Sequence, residues 1–90
     1  MPISTAHFSV GTTRVKIVEA ANTAQHVCIH NHEHSSSNNV FIGGSDVTTS
    51  NGIHALATLT SQLIIGPGDD LWAIADGGTN ELHILTVKQD

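Results

Sequence analysis

The chain is poor in the groups that commonly mark a catalyst or a nucleic-acid binder. One of its 90 residues is cysteine, Cys28, which excludes an internal disulfide and any zinc site built on cysteine pairs. Basic residues number three (Arg14, Lys16 and Lys88) against eight acidic ones, for a net charge of −5. Nucleic-acid binding sets several Lys or Arg against phosphates, so no nucleic-acid partner is expected. No run approaches the roughly 18 apolar residues of a membrane span, and Met1-Pro2-Ile3-Ser4-Thr5 lacks the basic and apolar regions of a secretory signal. No membrane partner is expected either. Tyrosine is absent, and Phe8, Phe41 and Trp72 are the only aromatic residues apart from histidine.

A core must therefore come from Val, Ile, Leu and Ala. A single domain of this length hides only about 60% of the surface its unfolded chain exposes. That thin margin points to stabilisation by neighbouring subunits, as a homo-oligomer such as a dimer or trimer.

Turn residues organise what is present. Gly11, Asn22, the run Ser35-Ser36-Ser37-Asn38-Asn39, Gly43-Gly44, Asn51-Gly52, Gly66-Pro67-Gly68 and Asp76-Gly77-Gly78 recur at intervals of about ten residues, with β-branched runs between them. Strands are expected over residues 14–18, 25–31, 40–42, 63–65, 71–75 and 81–87. The pattern is all-β: a small antiparallel β-sandwich or barrel of about seven to eight short strands, jelly-roll-like in one version. In residues 25–31, Val27 and Ile29 fall on one face and His26, Cys28 and His30 on the other. Residues 63–65 read as a buried run, and Trp72 as core, with an exposed stacking residue as the alternative. Asp76-Gly77-Gly78 suits a tight hairpin between the last two strands. Residues 53–63 read as an irregular loop entering a strand near Thr60, with a helical turn as the alternative. Residues 1–10 are poorly patterned and read either as an arm that adds a strand to a neighbour or as a frayed end.

Seven histidines carry the most distinctive chemistry. In His30-Asn31-His32-Glu33-His34, extended backbone would project His30, His32 and His34 together, a plausible ligand set for Zn²⁺, Ni²⁺ or Cu²⁺. The competing reading is a solvated hairpin arm. Protonating all seven near pH 6.5 would reverse the sign of the net charge, so association is expected to respond to pH there.

Catalytic schemes find little support. There is no Gly-x-Ser-x-Gly elbow, Asp69-Asp70 reads as turn residues, and Gly43-Gly44-Ser45-Asp46 has no lysine after it as a phosphate loop requires. Cys28 beside His26 reads as a half-buried strand cysteine. The histidine pair and Glu33 are similar to the first motif of the cupins, and Gly66-Pro67-Gly68 to part of their second. However, Glu33 follows His32 directly, and Asp69, Asp70 and Leu71 stand where the next histidine ligand belongs. The chain is expected not to be an enzyme and to hold no cofactor beyond a divalent metal at the His-rich hairpin.

Across residues 27–87 a series of motifs is ordered and spaced as in one known group. These are Val27-Cys28-Ile29-His30-Asn31, Val40-Phe41-Ile42-Gly43-Gly44-Ser45-Asp46-Val47-Thr48, Asn51-Gly52, Gly66-Pro67-Gly68-Asp69-Asp70-Leu71-Trp72-Ala73-Ile74, Gly77-Gly78-Thr79 and Leu82-His83-Ile84-Leu85. The series resembles small virion-associated β-sandwich proteins of tailed bacteriophages. The resemblance implies a head-decoration (cement) protein, made in the host cytoplasm and placed on the capsid surface, with the major capsid protein as partner. Phe41 and Trp72 are then candidate contact residues, while Gly43, Gly44, Asn51, Gly52, Gly66, Pro67, Gly68, Gly77 and Gly78 shape turns. The alternative is a tail or fibre module contacting the host surface. The insertion between Asn31 and Val40 departs from the shorter turn of that group.

Overall fold

The computed structural model describes residues 3–31, 39–55 and 60–89. Eight strands run β1 (Ile3–Val10), β2 (Val15–Val18), β3 (Ala24–Asn31), β4 (Val40–Gly43), β5 (Ile53–Ala55), β6 (Thr60–Ile65), β7 (Leu71–Ala75) and β8 (Asn80–Gln89). They form two antiparallel four-stranded sheets, ordered β1-β8-β3-β6 (sheet I) and β2-β7-β4-β5 (sheet II). The chain changes sheet at every connection except β4 to β5, and this order is that of an eight-stranded jelly roll. The all-β sandwich expected from turn spacing is thus what forms.

Alternation supplies the core. In β3 every second residue, Gln25, Val27, Ile29 and Asn31, is buried, and β7 buries Leu71, Ala73 and Ala75. Val27, Ile29, Leu71, Ala73 and Ala75, with Val40 and Ile42 from β4 and Leu82 and Ile84 from β8, belong to one aliphatic cluster between the sheets. Each fully buried side chain of the Val or Ile type contributes about 1.5–3 kcal/mol against exposure. The buried polar groups are matched: Gln25 Nε2 donates to the Glu19 carbonyl at 3.0 Å, and Asn80 Nδ2 donates to the Val10 and Gly77 carbonyls at 3.2 and 3.1 Å.

Several sequence expectations change. Residues 3–10 form β1 and pair with β8 of the same chain along their whole length. In β2 the register to β7 shifts between Lys16 and Val18, so Ile17 and Val18 are both buried where strict alternation would expose one. Residues 53–55 are a strand against β4, and the strand expected near Thr60 is β6. Of residues 63–65 only Ile65 is fully buried, because β6 is an edge strand and Ile64 points outward, 70% exposed. Asp76-Gly77-Gly78 is no hairpin: β7 and β8 lie in different sheets, and the segment is a corner between them. The positive φ anticipated there falls on Gly78, at 63°.

The double-glycine motif has a packing cause. Between β4 and β5, Val47 folds back into the interior, 1% exposed. A Cβ on Gly43 or on Gly52 would stand 2.8 Å from Val47 Cγ2, and one on Gly52 would also meet Phe41 Cβ at 2.6 Å. Neither position has room for a side chain. Asn51 closes the loop, its Oδ1 accepting from the Thr48 amide at 2.7 Å.

Candidate functional site

Alternation that buries one face of sheet I sets the other outward, and cross-strand register arranges that face in rows. Ile3, Val87, His26 and Ile64 make one row across β1, β8, β3 and β6; Thr5, Leu85, Cys28 and Gln62 make the next; His7, His83 and His30 lead the third. Exposed isoleucines stand at both ends of the first row, Ile3 at 66% and Ile64 at 70%. The third row sets three imidazoles on three adjacent strands. The rings of His7 and His83 are 5.6 Å apart between centres and tilted 31°, and those of His30 and His83 are 6.4 Å apart, edge to face. Glu81 Oε2 lies 4.0 Å from His83 Nε2. A hollow of about 360 Å³ opens here, lined by His7, His30, His83 and Cys28 among others.

The margins of sheet I belong to the same surface. Its edge strands, β1 and β6, have eight and six residues and contain no Lys, Arg, Asp, Glu or Pro. Among the described residues no strand lies on the outer side of either, and an edge of this length and neutrality offers backbone groups to an incoming strand.

Sheet II faces outward with Lys16, Trp72, Ile74, Phe41 and His54. Trp72 is half-buried there rather than in the core, since Leu71, Ala73 and Ala75 take the inward positions of β7. Its indole Nε1 donates to Asp70 Oδ1 at 3.1 Å, and Lys16 Nζ sits 5.6 Å from the ring centre. Gly43 lies opposite it on β4. Phe41 stacks on His54 with ring centres 5.2 Å apart. Both candidate contact residues are therefore on one outer face, and both are engaged by neighbours of their own chain.

The remaining candidates are placed as follows. His30 points away from the interior, which is filled by aliphatic side chains, so it is not a ligand to a centre inside the jelly roll, where the cupin likeness would need one. His32 and His34 lie outside the described residues. Gly66, Pro67 and Gly68 carry the chain from sheet I to sheet II: Asp69 Oδ2 accepts from the Gly66 amide at 3.1 Å, Gly68 has φ 82°, and its amide donates to the Ala21 carbonyl at 2.7 Å. Gly44 accepts from the Val47 amide at 3.0 Å, and the Gly77 carbonyl is one of the acceptors for Asn80. At the corner, Asp76 accepts from the Asn39 amide at 2.7 Å and from Asn39 Nδ2 at 2.9 Å, and these bonds hold its carboxyl below the usual value. His7 and His83 escaped the sequence reading because register, not spacing along one strand, brings them to His30.

No family model and no curated protein matches this chain. One solved structure similar to it comes from the Bacillus endospore appendages, described as a novel family of disulfide-linked pili. The TM-score is 0.56 at 9% identity, covering 99% of this chain and 87% of that one. At that identity the likeness is one of fold.

Proposed function

We propose that this chain is a structural subunit that docks on a repeating protein shell, as the head-decoration protein of a tailed bacteriophage. The observation that carries the reading is the pair of long edge strands of sheet I, without Lys, Arg, Asp, Glu or Pro and, among the described residues, with no strand on their outer sides, flanking an outer face with exposed isoleucines. A decorating subunit needs a stable sandwich and a surface that pairs with neighbours, and strand addition at an open edge supplies such pairing. The motif series over residues 27–87 favours the phage setting, and jelly rolls are a recurrent capsid architecture. On this reading the major capsid protein is the partner, the subunit acts at the capsid surface, and it performs no catalysis. Binding to the assembled shell alone would stabilise it by mass action.

A second reading has a specific observation behind it. Successive strands of sheet I are antiparallel, so β6 runs opposite to β1. A second copy in the same orientation would set its β1 antiparallel beside β6, and the step can repeat. Head-to-tail contacts that do not close make filaments, and the structural likeness to a pilus subunit fits that outcome.

Purified chain added to phage heads that lack it separates the two. Regular extra density on the icosahedral shell, with rupture at a higher temperature, is the expected result. Filaments without shell binding would establish the second reading, and neither outcome would remove both.

A further inference from the structure

We infer that sheet I continues from one copy of this chain into the next in a single register, with Ile64 of β6 facing Ile3 of the next copy's β1. The inference rests on the second reading above and says how its contact is made. The row Ile3, Val87, His26 and Ile64 crosses the whole sheet. In an antiparallel sheet the N–H and C=O of one residue point to the same side of its strand, so hydrogen-bonded and non-hydrogen-bonded pairs alternate along such a row. Over four strands the alternation returns in phase. Whichever kind of pair Ile64 offers at its edge is therefore the kind that Ile3 of a second copy in the same orientation requires. A slip of one residue breaks this phase and turns the side chains to the wrong face. A slip of two residues keeps both, and the isoleucines decide against it. Ile3 is 66% and Ile64 70% exposed, and the row register sets them directly opposite, where each shields the other.

The rest of that margin fits. The chain carries a net charge of −5, yet neither β1 nor β6 holds Asp, Glu, Lys or Arg, so copies meet there without opposing fixed charges. The same register sets Thr5 against Gln62 and, on the inner face, Ser4 against Leu63. On the β5–β6 side, Ile53 is 75% exposed beside a cleft of about 250 Å³ lined by Leu63, Ile42 and Leu71 among others. On the β1–β2 side, a hollow of about 230 Å³ opens among Ser4, Ala6, Ile17 and Ile84. With Ser4 against Leu63 these two openings meet, and Ile53 is covered as well. The molecule measures 38 × 24 × 16 Å, and its strands run along its length. A side wall of 38 by 16 Å is about 600 Å² in projection, of the order of the roughly 800 Å² per partner that a stable contact buries.

Electron microscopy of the purified chain, together with cross-linking, tests the register. In chains carrying Cys28→Ser, the pair Ile3→Cys and Ile64→Cys in one molecule should join copies into a disulfide ladder after mild oxidation. Ile3→Cys with Gln62→Cys, the two-residue slip, should give at least about tenfold less, because diagonal neighbours lie about 7–8 Å apart and a disulfide needs about 4.4–6.8 Å between Cα atoms. Cysteine removes the isoleucines themselves, so a charge pair reads the same register independently. Ile64→Lys alone should stop filament growth, and Ile3→Glu in the same chain should restore it. Cross-linking as strong through Gln62→Cys, or an Ile64→Lys defect that Ile3→Glu does not repair, overturns the register while filaments of the parent chain keep the second reading. A parent chain that forms no filaments removes the second reading and this inference with it.

Discussion

Sheet II ends on one side in β5, three residues long, and on the other in β2, four residues with Lys16 and a bulge. Sheet I ends in β1 and β6, eight and six residues without a fixed charge or a proline. Short strands, lysine and bulges are the devices by which soluble proteins stop their sheets from growing. Among the described residues, therefore, sheet I has the longer and less guarded edge strands, although Ile53 in edge strand β5 of sheet II is also exposed. The outer faces differ in the same sense. On sheet II, Trp72 is tied to Asp70 and Lys16, and Phe41 to His54. On sheet I, two isoleucines stand in solvent at the ends of one row. Aromatic content is therefore a poor guide to the proposed docking face: the two non-histidine aromatic side chains of sheet II's outer face are held by neighbours of their own chain.

The contrast can be broken most forcefully from inside sheet II. Gly52→Ala would press a methyl group into Phe41 and Val47, and should cost about 1–3 kcal/mol in urea unfolding. Trp72→Phe keeps a ring beneath Lys16 but loses the bond to Asp70, an expected loss of about 1 kcal/mol. A loss near zero would mean that Trp72 is held only loosely and is available to a partner. Ile64→Lys on the edge of sheet I should change stability by no more than about 0.5 kcal/mol, because Ile64 is 70% exposed. The same substitution should abolish shell binding or filament growth, measured by co-sedimentation. If Ile64→Lys destabilises the chain as Gly52→Ala does, the edge at β6 is a structural element and the contrast between the sheets fails.

Much of this arrangement could be read in the sequence, and the rest could not for definite reasons. Turn residues every ten positions gave the strand count, and clean alternation in β3 gave the correct inward and outward faces, including His30. Leu71-Trp72-Ala73-Ile74-Ala75 is apolar at every position, so alternation could not say which set faces in, and the structure buries the smaller alanines. The run Leu63-Ile64-Ile65 looks central but is an edge, because edge position depends on sheet order, which no local pattern carries. The same holds for the histidine row: His7, His30 and His83 are far apart in the chain, and only the β1-β8-β3 order makes them neighbours. The Gly43 and Gly52 motif was legible as tight backbone, but its cause, the inserted Val47, needed the packed structure.

The corner where the chain passes from sheet II to sheet I offers the mildest test. Asp76 follows the last residue of β7, and its carboxylate accepts two bonds from Asn39 at the entry to β4, while the Asn39 carbonyl accepts one from the Asp76 amide at 3.0 Å. Bonds to the charged form lower the carboxyl from its ordinary 3.8, with His54 adding a smaller pull in the same direction. A folded-state value below the unfolded one stabilises the fold fully above 3.8, and that contribution fades as the pH drops through the folded value. Asp76→Asn keeps an acceptor oxygen for one Asn39 donor but turns an amide group toward the other. The parent chain should therefore melt above Asp76→Asn by a constant margin from pH 7 down to about 4, and the margin should close below that. The clamp is exposed to solvent, so the margin should be the smallest of the effects considered. A margin that stays the same down to pH 2 would show that Asp76 acts there as a neutral turn residue, and that the corner between the sheets is held by Gly78 and Asn80 instead.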